Sequence, residues 1–237
     1  DAAIVRYNSN GSLDTTFDMD GIRIFNVNNN GNDYFNDIAQ QTDGKLLAIA
    51  DTTYSLITLF VPEDYSVLRL NSDGSLDSTF DGNGIVRSQW CEDGQDLYIQ
   101  TDGKIVTTGR QVRSPAVNDS GVCTQRFDAE GSVDTSLNFV AGNGTLKQTV
   151  LSSQECTSIE AIESLPNGKI LVAGWGQVPN QIYNTSKLIR LNPDGTLDTS
   201  FMDEGIYEFT NSTTSTYFND LKILSDGSFF VAGEAGI

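Results

Sequence analysis

Carboxylates are the side chains through which this sequence could do chemistry: 32 Asp and Glu stand beside 14 Lys and Arg and no His. Without imidazole, the Ser-His-Asp and Cys-His nucleophilic systems are excluded in their usual form, as are zinc sites built on His. Hydrolysis by two carboxyl groups survives that exclusion. Its candidate members are Glu63, Asp64, Glu155 and Glu160, although no unit-specific pair stands out. A second arrangement is a column at matching places of an internal repeat, made of Asp37, Asp96 and Asp220, with Ala161 in the remaining place. The residues just before them, Asn36, Gln95, Glu160 and Asn219, carry side-chain oxygens too. Oxygens converging on one axis could hold Ca2+, which takes about 6–8 such ligands. No calcium-loop spacing accompanies them. Carboxylates solvated at a channel mouth, or bonded to neighbouring strands, would give the same pattern.

The formal net charge of −18 argues against phosphate-backbone binding, which needs a basic stripe, and against an anionic membrane surface. Cations, neutral sugars and neutral or basic protein surfaces fit it. Tyr34, Phe35 and Asn36, and again Tyr217, Phe218 and Asn219, belong to a Tyr-Phe-Asn-Asp string present in two places. Together they would form an aromatic platform with amide donors, suited to a sugar or peptide. The same rings could instead plug the channel end as core. Between Asp51 and Asp64, the apolar residues Leu56, Ile57, Leu59 and Phe60 mark either an extra edge strand or a partner interface. Cys91, Cys123 and Cys156 show no CxxC spacing. One disulfide with a spare thiol, or three reduced buried cysteines, both fit. Cys91–Cys123 would pin one blade and Cys91–Cys156 would tie two.

The elements that position these groups are read from self-similarity. Asn-Gly-Ser-Leu-Asp-Thr-Thr-Phe at 10–17 recurs in related form at 73–80, 130–137 and 194–201. Its glycines, Gly11, Gly74, Gly131 and Gly195, lie 63, 57 and 64 residues apart. A second motif, Asp/Asn-Gly followed by an apolar run, is centred on Gly44, Gly103, Gly168 and Gly227. Asp-Gly between short apolar runs is a hairpin signal, expected as a type I′ turn. Two hairpins per unit give four short strands, the composition of a propeller blade. A solenoid is the rival architecture, but its repeats are usually shorter and less hairpin-like. Only a single helical turn is expected, at Asp14-Thr15-Thr16 and its copies. No 18-residue apolar run suggests a membrane helix.

The chain begins with the outer half of a unit, Ala3 to Phe25, and ends with an inner hairpin, Asn219 to Gly233. Pairing the two would close a ring and remove the exposed strand edges. The expected fold is therefore an all-β four-bladed propeller with terminal closure. It is a single domain over 1–237, with units at about 1–64, 65–119, 120–183 and 184–237. A larger ring is the alternative. There is no initiator Met and no basic-then-apolar leader, which suggests an excised domain or a processed mature chain.

Arg-Leu-Asn-Ser-Asp-Gly-Ser-Leu-Asp-Ser-Thr-Phe at 69–80, with Gly82, Gly84 and the Asp-Gly-Lys hairpins, resembles the delta-60 repeat family of bacterial secreted and surface proteins. The resemblance covers nearly the whole chain. It departs in the third unit, where Leu137 replaces Phe and the Gly pair moves to Gly142 and Gly144. It implies a propeller and a surface location, and no activity.

Each unit also carries an Arg five residues before its turn Gly and an Asp three residues after it. The pairs are Arg6 and Asp14, Arg69 and Asp77, Arg126 and Asp134, and Arg190 and Asp198. A bidentate-capable pair repeated in every unit suits a partly buried clamp. Lys45, Lys104 and Lys169 read as turn residues, and Ile38, Leu97, Ile162 and Leu221 as core. The functional expectation is a non-enzymatic, secreted or cell-surface binding or adhesion module for a protein or glycan, with no nucleic-acid partner. A lectin-like propeller and a carboxylate-based glycoside hydrolase or lyase are the alternatives.

Overall fold

A computed structural model describes residues 1–26, 32–53, 64–111, 122–135, 145–148, 157–177, 182–202, 204–211 and 213–236. They form fifteen strands in four antiparallel sheets, within each of which strands consecutive in the chain pair. β3 (Asn32–Gln40), β4 (Leu46–Thr53) and β5 (Asp64–Leu70) run on to β6 (Ile85–Ile99). β6 is shared. Its first part pairs with β5 through Val67↔Val86, and its last part with β7 (Ile105–Gln111) through Leu97↔Thr107. One strand thus closes one four-stranded blade and opens the next, which continues through β8 (Val122–Phe127) and β9 (Thr145–Gln148). The third blade is β10 (Thr157–Ser164), β11 (Ile170–Gln177), β12 (Asn184–Leu191) and β13 (Ile206–Phe209).

Two half-blades flank these. β1 (Ala2–Val5) pairs only with β2 (Ile22–Phe25), and β14 (Thr216–Ile223) only with β15 (Phe229–Ala235). Among the described residues β1 and β15 do not pair with each other, so the expected terminal closure is not seen. β1 packs on β3 while β14 packs on β10, β11 and β12. The hydrophobic core is a series of layers between successive blades. Phe17 and Phe25 meet Leu68 in the first, Phe80 and Phe127 share the second, Val106 meets Ile162 in the third, and Phe201 meets Leu221 in the fourth.

The hairpin turns differ from expectation. Gly44 has φ +87°, but Asp43 does not take positive φ, and Gly44 N–H donates to Gln41 O. The Asp43 carboxylate accepts Lys45 N–H at 3.1 Å and keeps Asp43 on the right-handed side. The result is a type I turn closed by a left-handed Gly rather than a type I′ turn. Where β6 changes blades, Gly94 is required by space: a Cβ there would lie 2.6 Å from the Tyr65 ring and 2.7 Å from Ile49 Cδ1.

Candidate functional site

The inner strand of every unit carries a register shift, between Phe35 and Asp37, Glu92 and Asp96, Ile159 and Ala161, and Phe218 and Asp220. Such a bulge re-aims the side chains beside it. The acidic column follows immediately, and its oxygens turn toward the next blade. Asp37 Oδ2 accepts Leu97 N–H at 3.2 Å, and Asp96 Oδ2 accepts Ile162 N–H at 2.7 Å. In the third blade Ala161 has no carboxylate to offer. Glu163, two residues on, takes over and accepts Ile223 N–H at 2.9 Å, also two residues beyond Leu221. Lys222 pairs with the same carboxylate, which raises the pKa of the ammonium.

Asp37 and Asp96 also share the Leu97 N–H, which reaches Asp96 Oδ1 at 2.8 Å. Burial pushes the Asp96 carboxyl up to about 8, and the hydrogen bond and negative charge from Asp37 push in the same direction. The four inner strands surround one cavity of about 650 Å³, lined among others by Asp37, Asp96, Glu163, Asp220 and Lys222. A smaller hollow of about 330 Å³ lies between Ile99 and Thr101 on one side and Leu165, Pro166 and Ile223 on the other.

The carboxylates of the calcium expectation, Asp37, Asp96 and Asp220, thus do line one channel. They do not converge as a ligand set: among the described residues no three His, Cys, Asp or Glu side chains gather as metal ligands. The reason is directional, since Asp37 and Asp96 spend their oxygens on backbone N–H groups along the ring. Asp220 is exposed and accepts its own Leu221 N–H at 2.8 Å.

The aromatic platform is not assembled. Phe35 stands edge-on to Phe25 at 5.5 Å, while Phe218 stacks on Phe209 at 6.1 Å, in a different layer. Among the described residues β1 and β15 do not pair with each other, and Phe35 and Phe218 belong to separate core clusters. Asn36 donates to Gly94 O at 2.7 Å, so it ties two inner strands. Tyr34 and Asn219 stay exposed. Tyr217 stands edge-on to Trp175 at 5.1 Å and bonds Asn184 at 3.0 Å. Trp175 Nε1 donates to Glu160 at 2.9 Å. This corner of Trp175, Tyr217, Glu160 and Asn184 was not foreseen as a cluster, although Trp175 stands out, with Val178 and Ile182, in a mostly polar stretch from Trp175 to Asn184. Ile38 is 47% exposed against 3% for Leu97, so the core expectation does not hold at Ile38.

Leu56, Ile57, Leu59, Phe60, Glu63, Glu155 and Cys156 lie outside the described residues, as do the side chains of Asp64 and Cys123. Cys91 is buried and disulfide-bonded.

The clamps are formed as expected. Arg6–Asp14, Arg69–Asp77, Arg126–Asp134 and Arg190–Asp198 bond at 2.8, 2.7, 2.8 and 2.6 Å. The lysines do more than turn the chain. Lys45, Lys104 and Lys169 reach Asp77, Asp134 and Asp198 at 2.9, 3.1 and 2.7 Å, so inner and outer hairpins of one blade share a carboxylate. Three of the arginines also donate to the next unit: Arg6 to Ser72 O, Arg69 to Ala129 O and Arg126 to Pro193 O.

Residues 1–17, 41–80 and 165–201 match the model of a β-propeller domain of unknown function, DUF5122. The chain is built of β-propeller repeats. The match supports a propeller repeat family without singling out the delta-60 repeats, and it spans less than half of the propeller sequence. No curated protein matches the chain. Among solved structures, an endo-arabinase from Bacteroides thetaiotaomicron is similar at 12% identity and a TM-score of 0.45, over 85% of this chain and 68% of that one.

Proposed function

We propose that this propeller is a non-enzymatic, secreted or cell-surface binding or adhesion module whose ligand sits at the mouth of the central channel. The observation that carries the reading is the convergence of four units on one polar cavity bearing Asp37, Asp96, Glu163 and Asp220. The clamp carboxylates are consumed by Arg and Lys, which leaves exposed Asp220 as the channel acid that meets solvent. A net charge of −18 favours a cationic group on the ligand, such as a basic segment of a surface protein or an amino sugar.

A lectin-like mode has one observation in its favour: the edge-on Trp175–Tyr217 pair beside Glu160 and Asn184 offers ring faces and polar groups of the kind sugars use. A glycoside hydrolase is less well supported. Asp37 and Asp96 are in direct hydrogen-bond contact, closer than the ~5 Å or more between the carboxyl groups of glycosidases.

An array of basic and neutral peptides and glycans tests the proposal. Basic ligands are expected to bind, to weaken with salt, and to lose affinity several-fold in Asp220→Asn. A preference for anionic ligands, or release of reducing sugar from a glycan, would contradict it. Loss of glycan binding in Trp175→Ala alone would favour the lectin-like mode.

A further inference from the structure

One seam between blades is built differently from the rest. Four residues after the outer-turn glycines Gly21 and Gly205 stand Phe25 and Phe209, but four after Gly84 stands Ser88. Four residues after the hairpin glycines Gly44 and Gly168 stand Ala48 and Val172, but four after Gly103 stands Thr107. Just before the clamp arginines Arg69 and Arg190 stand Leu68 and Ile189, but before Arg126 stands Gln125. Three apolar places of the repeat are thus polar in one unit or at its border. All three are buried, Ser88 at 1% exposure and Thr107 and Gln125 at 0%.

These groups meet in one layer. Thr107 lies opposite Gln125 and Ile105 opposite Phe127, so alternation puts all four side chains on one face of the second complete blade. Ile105 and Phe127 pack with Leu47, Tyr65 and Val67 of the first complete blade, which makes that face the seam. The Tyr65 hydroxyl reaches across it to Thr107 Oγ1 at 2.6 Å, and Ser88 hydrogen-bonds the same phenol. Thr107 in turn donates to the Gln125 carbonyl oxygen at 3.3 Å. Burial pushes the Tyr65 hydroxyl well above its usual range, so it stays protonated. The Gln125 side chain is left out of this hydroxyl chain. Neither Oε1 nor Nε2 has a hydrogen-bond partner among the described residues. Both ends lack one, so exchanging the amide oxygen and nitrogen would satisfy neither.

A fully buried amide with no partner is strongly destabilising, and ordered water is the usual way such groups are satisfied. We infer that the seam between the first and second complete blades is a buried water site, in which bound water accepts from Gln125 Nε2 and donates to Gln125 Oε1. The ligand must both donate and accept, because both ends of the amide are open. It is neutral, because Tyr65, Ser88, Thr107 and Gln125 are uncharged. It is small, because Tyr65 and Gln125 are fully buried. Water meets all three conditions. It joins Gln125 to the hydroxyl chain at a place that the preceding seam fills with Phe25 and Leu68.

A crystal structure and oxygen-17 relaxation dispersion of the intact chain test this. The crystal structure is expected to show ordered water about 2.7–3.2 Å from the Gln125 amide. Gln125→Leu copies Leu68 of the first complete blade and should keep the circular-dichroism spectrum. Relaxation dispersion should then count fewer long-lived waters in the variant than in the wild type. The wild-type crystal structure decides alone should Gln125→Leu fail to fold. An amide without water, or one bonded at both ends to protein groups, overturns the inference. An unchanged count of long-lived waters in folded Gln125→Leu overturns it as well.

Discussion

Asp96 Oδ2 accepts the backbone N–H of Ile162 at 2.7 Å, so a carboxyl group on the inner strand of one blade holds the inner strand of the next. The same group is in contact with Asp37 and titrates near 8. A carboxyl whose folded pKa is raised contributes stability that is fully present below its unfolded value near 3.8 and is lost as pH rises through about 8. The melting temperature should therefore fall by roughly 5 °C or more from mildly acid to mildly alkaline pH. Asp96→Asn keeps an oxygen for Ile162 and cannot ionise. Its melting temperature should be flat over that range and exceed the wild type on the alkaline side, as read by calorimetry.

The clamps act on the opposite limb. Burial pushes the Asp77 carboxyl up, but Lys45, Thr79 and Arg69 outweigh it and hold the group well below its usual range. Asp198 is lowered too, by Lys169, Ser200 and Arg190. Stability from these groups is present above pH ~4 and is lost as pH falls below it. Arg69 is 7% exposed on its side chain and Arg6 is 31% exposed. Arg69→Ala strips Asp77 of its nearer partner and should cost about 3 kcal/mol or more, whereas Arg6→Ala should cost about 1 kcal/mol or less. Urea unfolding of the two variants checks the contrast.

Two glycines should differ in the reason they are needed. Gly94→Ala drives a methyl group into Tyr65 and Ile49 and should destabilise by about 2–3 kcal/mol. Gly44→Ala meets open space but keeps a left-handed backbone, with a cost of about 1 kcal/mol. Equilibrium denaturation with unchanged m-values would support both figures.

Much of this architecture was legible in the sequence because it repeats. Four copies of Arg, turn Gly and Asp in fixed spacing gave the clamps, and the hairpin glycines gave the strands. What repetition could not reveal lies where a local shape decides. The bulges at Asn36, Glu160 and Asn219 follow from pairing rather than from residue type. The move from Ala161 to Glu163 hides a compensating contact two positions away. The lysines looked like turn residues since their partners lie some 30 residues on, as with Lys169 and Asp198. Tyr34 and Tyr217 share a local string, yet one is solvent-facing and the other leans on Trp175, because the units around them are completed differently.

Titration calorimetry of a short oligolysine peptide against the wild type and Asp220→Asn tests the acidic channel most directly. Binding that weakens with salt and falls several-fold in the variant is expected. Equal binding by the two proteins, or none by either, would contradict it.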